Sequence, residues 1–154
     1  MKNVIVSTCL FGIPCRYDGK SVVDETLIQK ISAVCHPIPF CPEVYGGLTT
    51  PRDPAERIGD RVVSDKGKDV TEEYMRGAEE CLRLAKMMEC EYALLKSRSP
   101  SCGKDTIYDG TFSGKLTGGD GMTAELLMKN GVRVFDSDHA EDFLKALSGE
   151  EEQN

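Results

Sequence analysis

Residues 71–103 read TEEYMRGAEECLRLAKMMECEYALLKSRSPSCG, a helical pattern, a short apolar run and a cysteine-bearing turn in succession. Tyr74, Ala78, Cys81, Ala85 and Met88 recur at helical spacing while Glu and Arg occupy the other face, so the spacing predicts an amphipathic helix over 72–88. Thr71 is its expected N-cap, and Glu72 and Glu73 suit the positive end of the helix dipole. Tyr92-Ala93-Leu94-Leu95 then predicts a strand over 91–96. The motif S-R-S-P-S-C-G ends that strand in a turn carrying Cys102.

The same arrangement occurs twice more. Val4-Ile5-Val6 predicts a strand over 3–8 that runs into S-T-C-L-F-G and Cys9. Ile38-Pro39-Phe40 predicts a strand over 37–40 that runs into C-P-E-V-Y-G-G-L and Cys41. Helices are expected at 25–34, with Leu27, Ile28, Ile31 and Val34 on one side, and at 121–130, stopped by Asn130-Gly131. A strand at 132–135 and a helix at 138–147 follow. The polar stretch 55–70 is ambiguous, with Gly59-Asp60 as a hairpin turn, and 105–118 reads as a hairpin or an irregular excursion.

Strands separated by helices predict an α/β fold. The expectation is one three-layer domain over residues 1–147, with a mostly parallel sheet and helices on both faces. Residues 148–154 read as an acidic flexible tail. Ligands of such sheets bind beyond the carboxyl ends of the strands, which is where Cys9, Cys41 and Cys102 fall.

Bulk composition limits the function. A chain of 154 residues is long enough for one stable core without staples. Lys and Arg number 19 against 26 Asp and Glu, a formal charge of −7, which argues against a general nucleic-acid binder. Even so, Arg16, Arg52, Lys96, Arg98 and Lys104 gather in or beside the cysteine motifs and predict a local basic pocket. No early apolar run suits a signal peptide and none approaches a membrane span of about 20 residues. The expected setting is cytoplasmic, without membrane or nucleic-acid partners. Seven cysteines there read as metal-binding, catalytic or buried thiols rather than a disulfide framework.

The cysteines divide by context. Cys81 lies on the apolar stripe of the long helix, and Cys35 and Cys90 sit at helix-to-strand junctions, so packing accounts for all three. Cys9, Cys41 and Cys102 each lie in a shaped turn flanked by Gly or Pro, and a shared metal or cluster site accounts for them better. Cys15 fits a fourth ligand, a resolving thiol or a loop residue, and its spacing from Cys9 matches no zinc knuckle or ferredoxin run. We favour a role in the loop or in support of the ligands over direct ligation. Three thiolates leave one coordination position open, as in catalytic metal sites. Soft thiolates select zinc, copper(I) or iron–sulfur, and the spacing does not separate these. His36 and His139 are poorly placed to add a ligand.

Glu43, two residues after Cys41, and Ser101, directly before Cys102, are the candidate proton-handling groups. Gly46-Gly47 suits close backbone approach to a flat ligand. Arg52, Arg16, Tyr17 and Asp18 are further candidates for the pocket wall.

Four motifs in order, S-T-C-L-F-G-I-P-C-R-Y-D-G, C-P-E-V-Y-G-G-L-T-T-P-R, L-K-S-R-S-P-S-C-G and G-D-G-M-T-A-E-L-L, make residues 4–135 resemble the thiouracil desulfidase family of small bacterial and archaeal proteins. The resemblance implies non-redox conversion of a thiocarbonyl on a pyrimidine such as 2-thiouracil to a carbonyl, with release of hydrosulfide. It implies a [4Fe–4S] cluster held by Cys9, Cys41 and Cys102, its open iron facing the substrate sulfur, with Glu43 activating water and Ser101 assisting proton movement. It also implies that the ligand is a small thiolated base. Thr8 and Phe11 depart from the first motif without touching the ligand positions.

Overall fold

The computed structural model describes residues 1–20 and 23–153. Along the chain run β1 (Asn3–Ser7), α1 (Glu25–Val34), β2 (His36–Phe40), α2 (Pro42–Tyr45), β3 (Ala55–Ile58), β4 (Arg61–Ser64), α3 (Thr71–Met87), β5 (Tyr92–Leu95), β6 (Thr106–Tyr108), β7 (Leu116–Gly118), α4 (Met122–Lys129), β8 (Arg133–Asp136) and α5 (Ala140–Gln153). Four strands form one sheet in the order β2-β1-β5-β8, and every pairing in it is parallel. The expected α/β architecture is therefore present.

Strand alternation assigns the two faces. Val4, Val6, Tyr92 and Leu94 pack with Ile31 of α1 and Phe143 and Leu147 of α5. Ile5, Ala93 and Leu95 pack on the other face with Cys81 and Ala85 of α3 and Ala124 and Leu127 of α4. All four residues of β5 are buried, as a central parallel strand requires. Each fully buried aliphatic side chain here contributes about 1.5–3 kcal/mol relative to exposure. Pro37 and Pro39 lie in β2, which among the described residues stands at the sheet edge beside β1; an edge strand tolerates the missing donors.

The two ambiguous stretches are antiparallel hairpins. β3 and β4 close around Gly59-Asp60, with Gly59 at φ +61°, and β6 pairs with β7 across a seven-residue tip. The expected stop after α4 is present: Gly131 adopts φ +85°. The last helix reaches Gln153, beyond the 147 expected, and Asn154 lies outside the described residues.

The N-cap of α3 differs from expectation. The Thr71 hydroxyl bonds the backbone of Val62 in β4, accepting from its N–H at 2.9 Å, while Asp69 accepts the Thr71 N–H at 2.9 Å. Thr71 thus ties the hairpin to α3, and the upstream Asx turn starts the helix. Gly46 also differs. A Cβ there would lie 2.0 Å from the Glu73 carbonyl oxygen of α3, and one at Gly77 would lie 1.9 Å from that of Pro42. These glycines let α2 and α3 touch backbone to backbone.

Candidate functional site

The strand order reverses beside β1: the chain goes from β1 to β2 on one side and then to β5 on the other. That switch point opens a crevice at the carboxyl ends. Backbone-to-hydroxyl bonds tie the ends together. Ser7 accepts from Lys96 N–H at 2.9 Å, and Ser137 accepts from Ser97 N–H at 2.9 Å.

Each candidate cysteine leaves its strand in a short constrained turn. Cys9 lies in a 3-10 turn after β1, closed by Gly12 at φ +82°, whose N–H donates to the Cys9 carbonyl. Cys41 precedes α2, which starts with Pro42 in the position where its missing N–H costs least. Cys102 lies in a turn organised by Ser99, whose hydroxyl accepts from the N–H groups of Ser101 at 3.0 Å and Cys102 at 2.9 Å. The first turn of α4 braces that loop: the N–H groups of Met122 and Thr123 donate to the carbonyls of Pro100 and Ser101. Gly121 permits this docking, since a Cβ there would lie 2.3 Å from the Ser101 carbonyl carbon.

The three turns surround one cavity of about 450 Å³, and Cys9, Cys41 and Cys102 all line it. Cys15 lines it as well, within hydrogen-bond reach of both Cys41 and Cys9; the Cys41 contact lowers its thiol pKa, but the Cys9 contact and burial outweigh it and the pKa is raised. The pairing with Cys15, followed by burial, pushes the Cys41 thiol far above its usual range. Burial, then the Glu43 charge, pushes the Cys102 thiol up to about 12, against hydrogen bonds from Ser7 and Ser101. Thiols held this way resist ionisation unless a cation accompanies it. Among the described residues, no three His, Cys, Asp or Glu side chains converge closely enough to hold a single metal ion. The thiols ring a cavity instead, an arrangement suited to a soft group several atoms across.

Glu43 forms the acidic wall. Its Oε2 accepts from Arg52 at 2.9 and 3.1 Å and from the Tyr74 hydroxyl at 3.0 Å, and its Oε1 lies 3.5 Å from the Ser99 hydroxyl. The Glu43 and Arg52 side chains are only 14% and 7% exposed, so the pair is well shielded from solvent. Burial works against the Arg52 charge, but Glu43 outweighs it and the Arg52 pKa is raised. Burial, then the Glu43 charge, pushes the Tyr74 hydroxyl far up, so it stays protonated as a donor. Arg52 also donates to the Cys15 carbonyl at 3.0 Å, joining the first cysteine loop to the second.

The remaining candidates separate clearly. Arg16, Arg52, Lys96 and Arg98 line the cavity, a basic lining in an acidic chain, while Lys104 pairs with Asp105 instead. Tyr17 lines it, whereas the Asp18 carboxylate accepts from the Lys20 N–H. Ser101 is fully buried behind the wall, its hydroxyl 2.9 Å from that of Thr123. Cys35, Cys81 and Cys90 are buried in the apolar cores. His139 bonds Asp136 at 2.8 Å, and neither it nor His36 lines the cavity.

Sequence reasoning missed Tyr74, Ser99, Glu56, Tyr108 and Phe112, all of which line the cavity. In the sequence Tyr74 reads as one residue of an apolar stripe. The available signal was its hydroxyl, since a buried tyrosine needs a polar partner. Ser99 sits just before Pro100 in a turn motif, a placement that favours hydroxyl-to-backbone bonding. The others lie on hairpins that carry no periodic signal toward the sheet.

A family model described as 2-thiouracil desulfurase matches residues 4–139. An uncharacterised protein of Bacillus subtilis strain 168, YbbK, is 43% identical over 151 residues, covering 92% of this chain and 99% of that protein. The solved structure of a [4Fe–4S]-dependent thiouracil desulfidase, TudS, matches with a TM-score of 0.89 and 46% identity. That match covers 96% of this chain and 99% of the solved one.

Proposed function

The chain belongs to the 2-thiouracil desulfurase family, and we propose that it converts the thiocarbonyl of a thiolated pyrimidine such as 2-thiouracil to a carbonyl at a [4Fe–4S] cluster held by Cys9, Cys41 and Cys102. It is an iron–sulfur-dependent desulfidase. The observation that carries the site assignment is the ring of three thiols from three strand ends around one cavity, with Glu43 in the same wall. This donor set fits a cluster: three soft sulfurs line one cavity.

When bound, the cluster supplies a soft Lewis acid with one position open to the substrate sulfur. The protein's own groups handle water and protons. Water adds to the thiocarbonyl carbon, the carbon–sulfur bond breaks and hydrosulfide leaves, so no electrons are exchanged. Glu43 takes the proton from the attacking water. Arg52 and Tyr74 both bond Oε2, which leaves Oε1 the freer oxygen for that task. Ser99, 3.5 Å from Oε1, stands between Glu43 and the Cys102 turn. Ser101 acts from behind, holding the Cys102 turn against Thr123 and donating toward the thiolate.

Anaerobic reconstitution followed by iron, sulfide and 2-thiouracil turnover measurements tests this reading. Cys9→Ser, Cys41→Ser and Cys102→Ser should each lose the cluster, and Cys15→Ser should keep it. Glu43→Ala should keep the iron content and lose hydrosulfide release. Full cluster loading in any of the first three variants, or full turnover by Glu43→Ala, overturns the assignment concerned.

A further inference from the structure

The tip of the β6–β7 hairpin holds an aromatic side chain at the cavity in an unfavourable backbone conformation. Phe112 lines the cavity, is 37% exposed and sits at φ +57°. A bulky side chain rarely adopts that region, and it persists only where the surroundings impose it. They do so here from two sides. Glu56 of β3, only 9% exposed, accepts through Oε1 from the Gly110 N–H at 2.9 Å and the Phe112 N–H at 3.1 Å. From within the tip, Asp109 Oδ1 accepts from the Thr111 N–H at 3.0 Å and from its hydroxyl at 2.6 Å. Gly110, at φ +94°, packs so closely that a Cβ would lie 2.6 Å from the Ile58 side chain.

The mechanism uses neither Glu56 nor Phe112, yet a shielded carboxylate spends two charge-assisted hydrogen bonds on this one tip. No other aromatic ring among the described residues stacks on Phe112. Tyr17, from the first cysteine loop, and Tyr108 line the same cavity.

We propose that Phe112 is the stacking platform for the flat ring of the substrate, and that Glu56 is the positioning residue that holds it there. The inference rests on the functional reading above and deepens it: the site selects planar heteroaromatic thiocarbonyls through a ring face, in addition to the sulfur. Base-on-aromatic stacking sets the expected effect. Phe112→Ala should raise KM for 2-thiouracil by about 5- to 150-fold, with kcat falling less than KM rises. Glu56→Ala should reproduce the KM effect, Glu56→Gln, which keeps a carbonyl acceptor, should recover much of it, and the double variant should fall short of additivity.

A second readout is independent of turnover. The chain contains no tryptophan, so Phe112→Trp places a single indole at the tip. Uracil, the product base, should change its fluorescence saturably in cluster-loaded protein, and Glu56→Ala in that background should weaken the response. Unchanged KM in Phe112→Ala, or uracil binding by dialysis with no fluorescence response, overturns the proposal. Absence of hydrosulfide release by the unmodified protein overturns the functional reading instead, while the fluorescence titration still decides for or against the platform.

Discussion

Gly77→Ala separates helix propensity from packing. Gly77 lies inside α3, where glycine to alanine ordinarily stabilises by about 1 kcal/mol. Here the new Cβ would sit 1.9 Å from the Pro42 carbonyl oxygen, against the 3.0 Å that real Cβ contacts observe. The obstacle is backbone, so it cannot rotate away, and α2 must retreat by about 1 Å in a tightly packed interior. Overpacking of this kind costs about 1–3 kcal/mol, so packing should outweigh propensity and lower the melting temperature by several degrees. The functional consequence is larger, because α2 carries Glu43 and follows Cys41 directly. If Glu43 is the proton acceptor proposed above, displacing it by about 1 Å costs about 100-fold in rate. Thermal unfolding with hydrosulfide release at saturating 2-thiouracil measures both effects. A variant that melts at or above the parent temperature and keeps its rate would refute the reasoning that the α2–α3 contact sets the site.

Three further outcomes follow from particular contacts. Tyr74→Phe removes the hydroxyl donated to Glu43 at 3.0 Å and should cost about 1.5–3 kcal/mol, the range for a hydrogen bond to a charged group; denaturant unfolding that matches the parent would show the bond contributes nothing. Asp24→Ala removes the N-cap acceptor 3.0 Å from the Leu27 N–H and should cost about 0.5–2 kcal/mol, again read by denaturant unfolding, with cluster loading unaffected because α1 lies outside the cavity wall. The His139 pKa is raised above 6.5 by its hydrogen bond to Asp136 and then by that residue's charge. The associated stabilisation is fully present below the unfolded pKa and is lost as pH rises through the folded one. An NMR titration should place the His139 midpoint above 6.5, and Asp136→Asn should bring it down; an unchanged midpoint in that variant would remove Asp136 as the cause.

Much of the site was legible because its signals are local. Cys9, Cys41 and Cys102 each follow an apolar run and sit in Gly- or Pro-shaped turns, and a parallel sheet brings strand ends together whatever fills the intervening chain. Glu43 was legible for the same reason, lying two residues beyond Cys41. Gly46 differs from expectation because glycine permits close approach without naming the partner, and the partner is the Glu73 carbonyl of α3 rather than a ligand. Ser101 was legible as a neighbour of Cys102, but its fully buried place behind the wall, against Thr123, was not.

The division follows the range of the forces involved. Helical and alternating periodicity, turn residues and an odd cysteine count act over a few residues, and they determined the α/β layers, the parallel sheet and the three-thiol rim. Tertiary structure alone decided which distant groups pair with one another around that rim. The Tyr74 bond to Glu43 spans 31 residues and the Glu56 bond to Gly110 spans 54, and no local pattern encodes such partners. They exist because burying α2 on α3, and β3 beside the β6–β7 hairpin, leaves polar groups that must find each other once water is excluded.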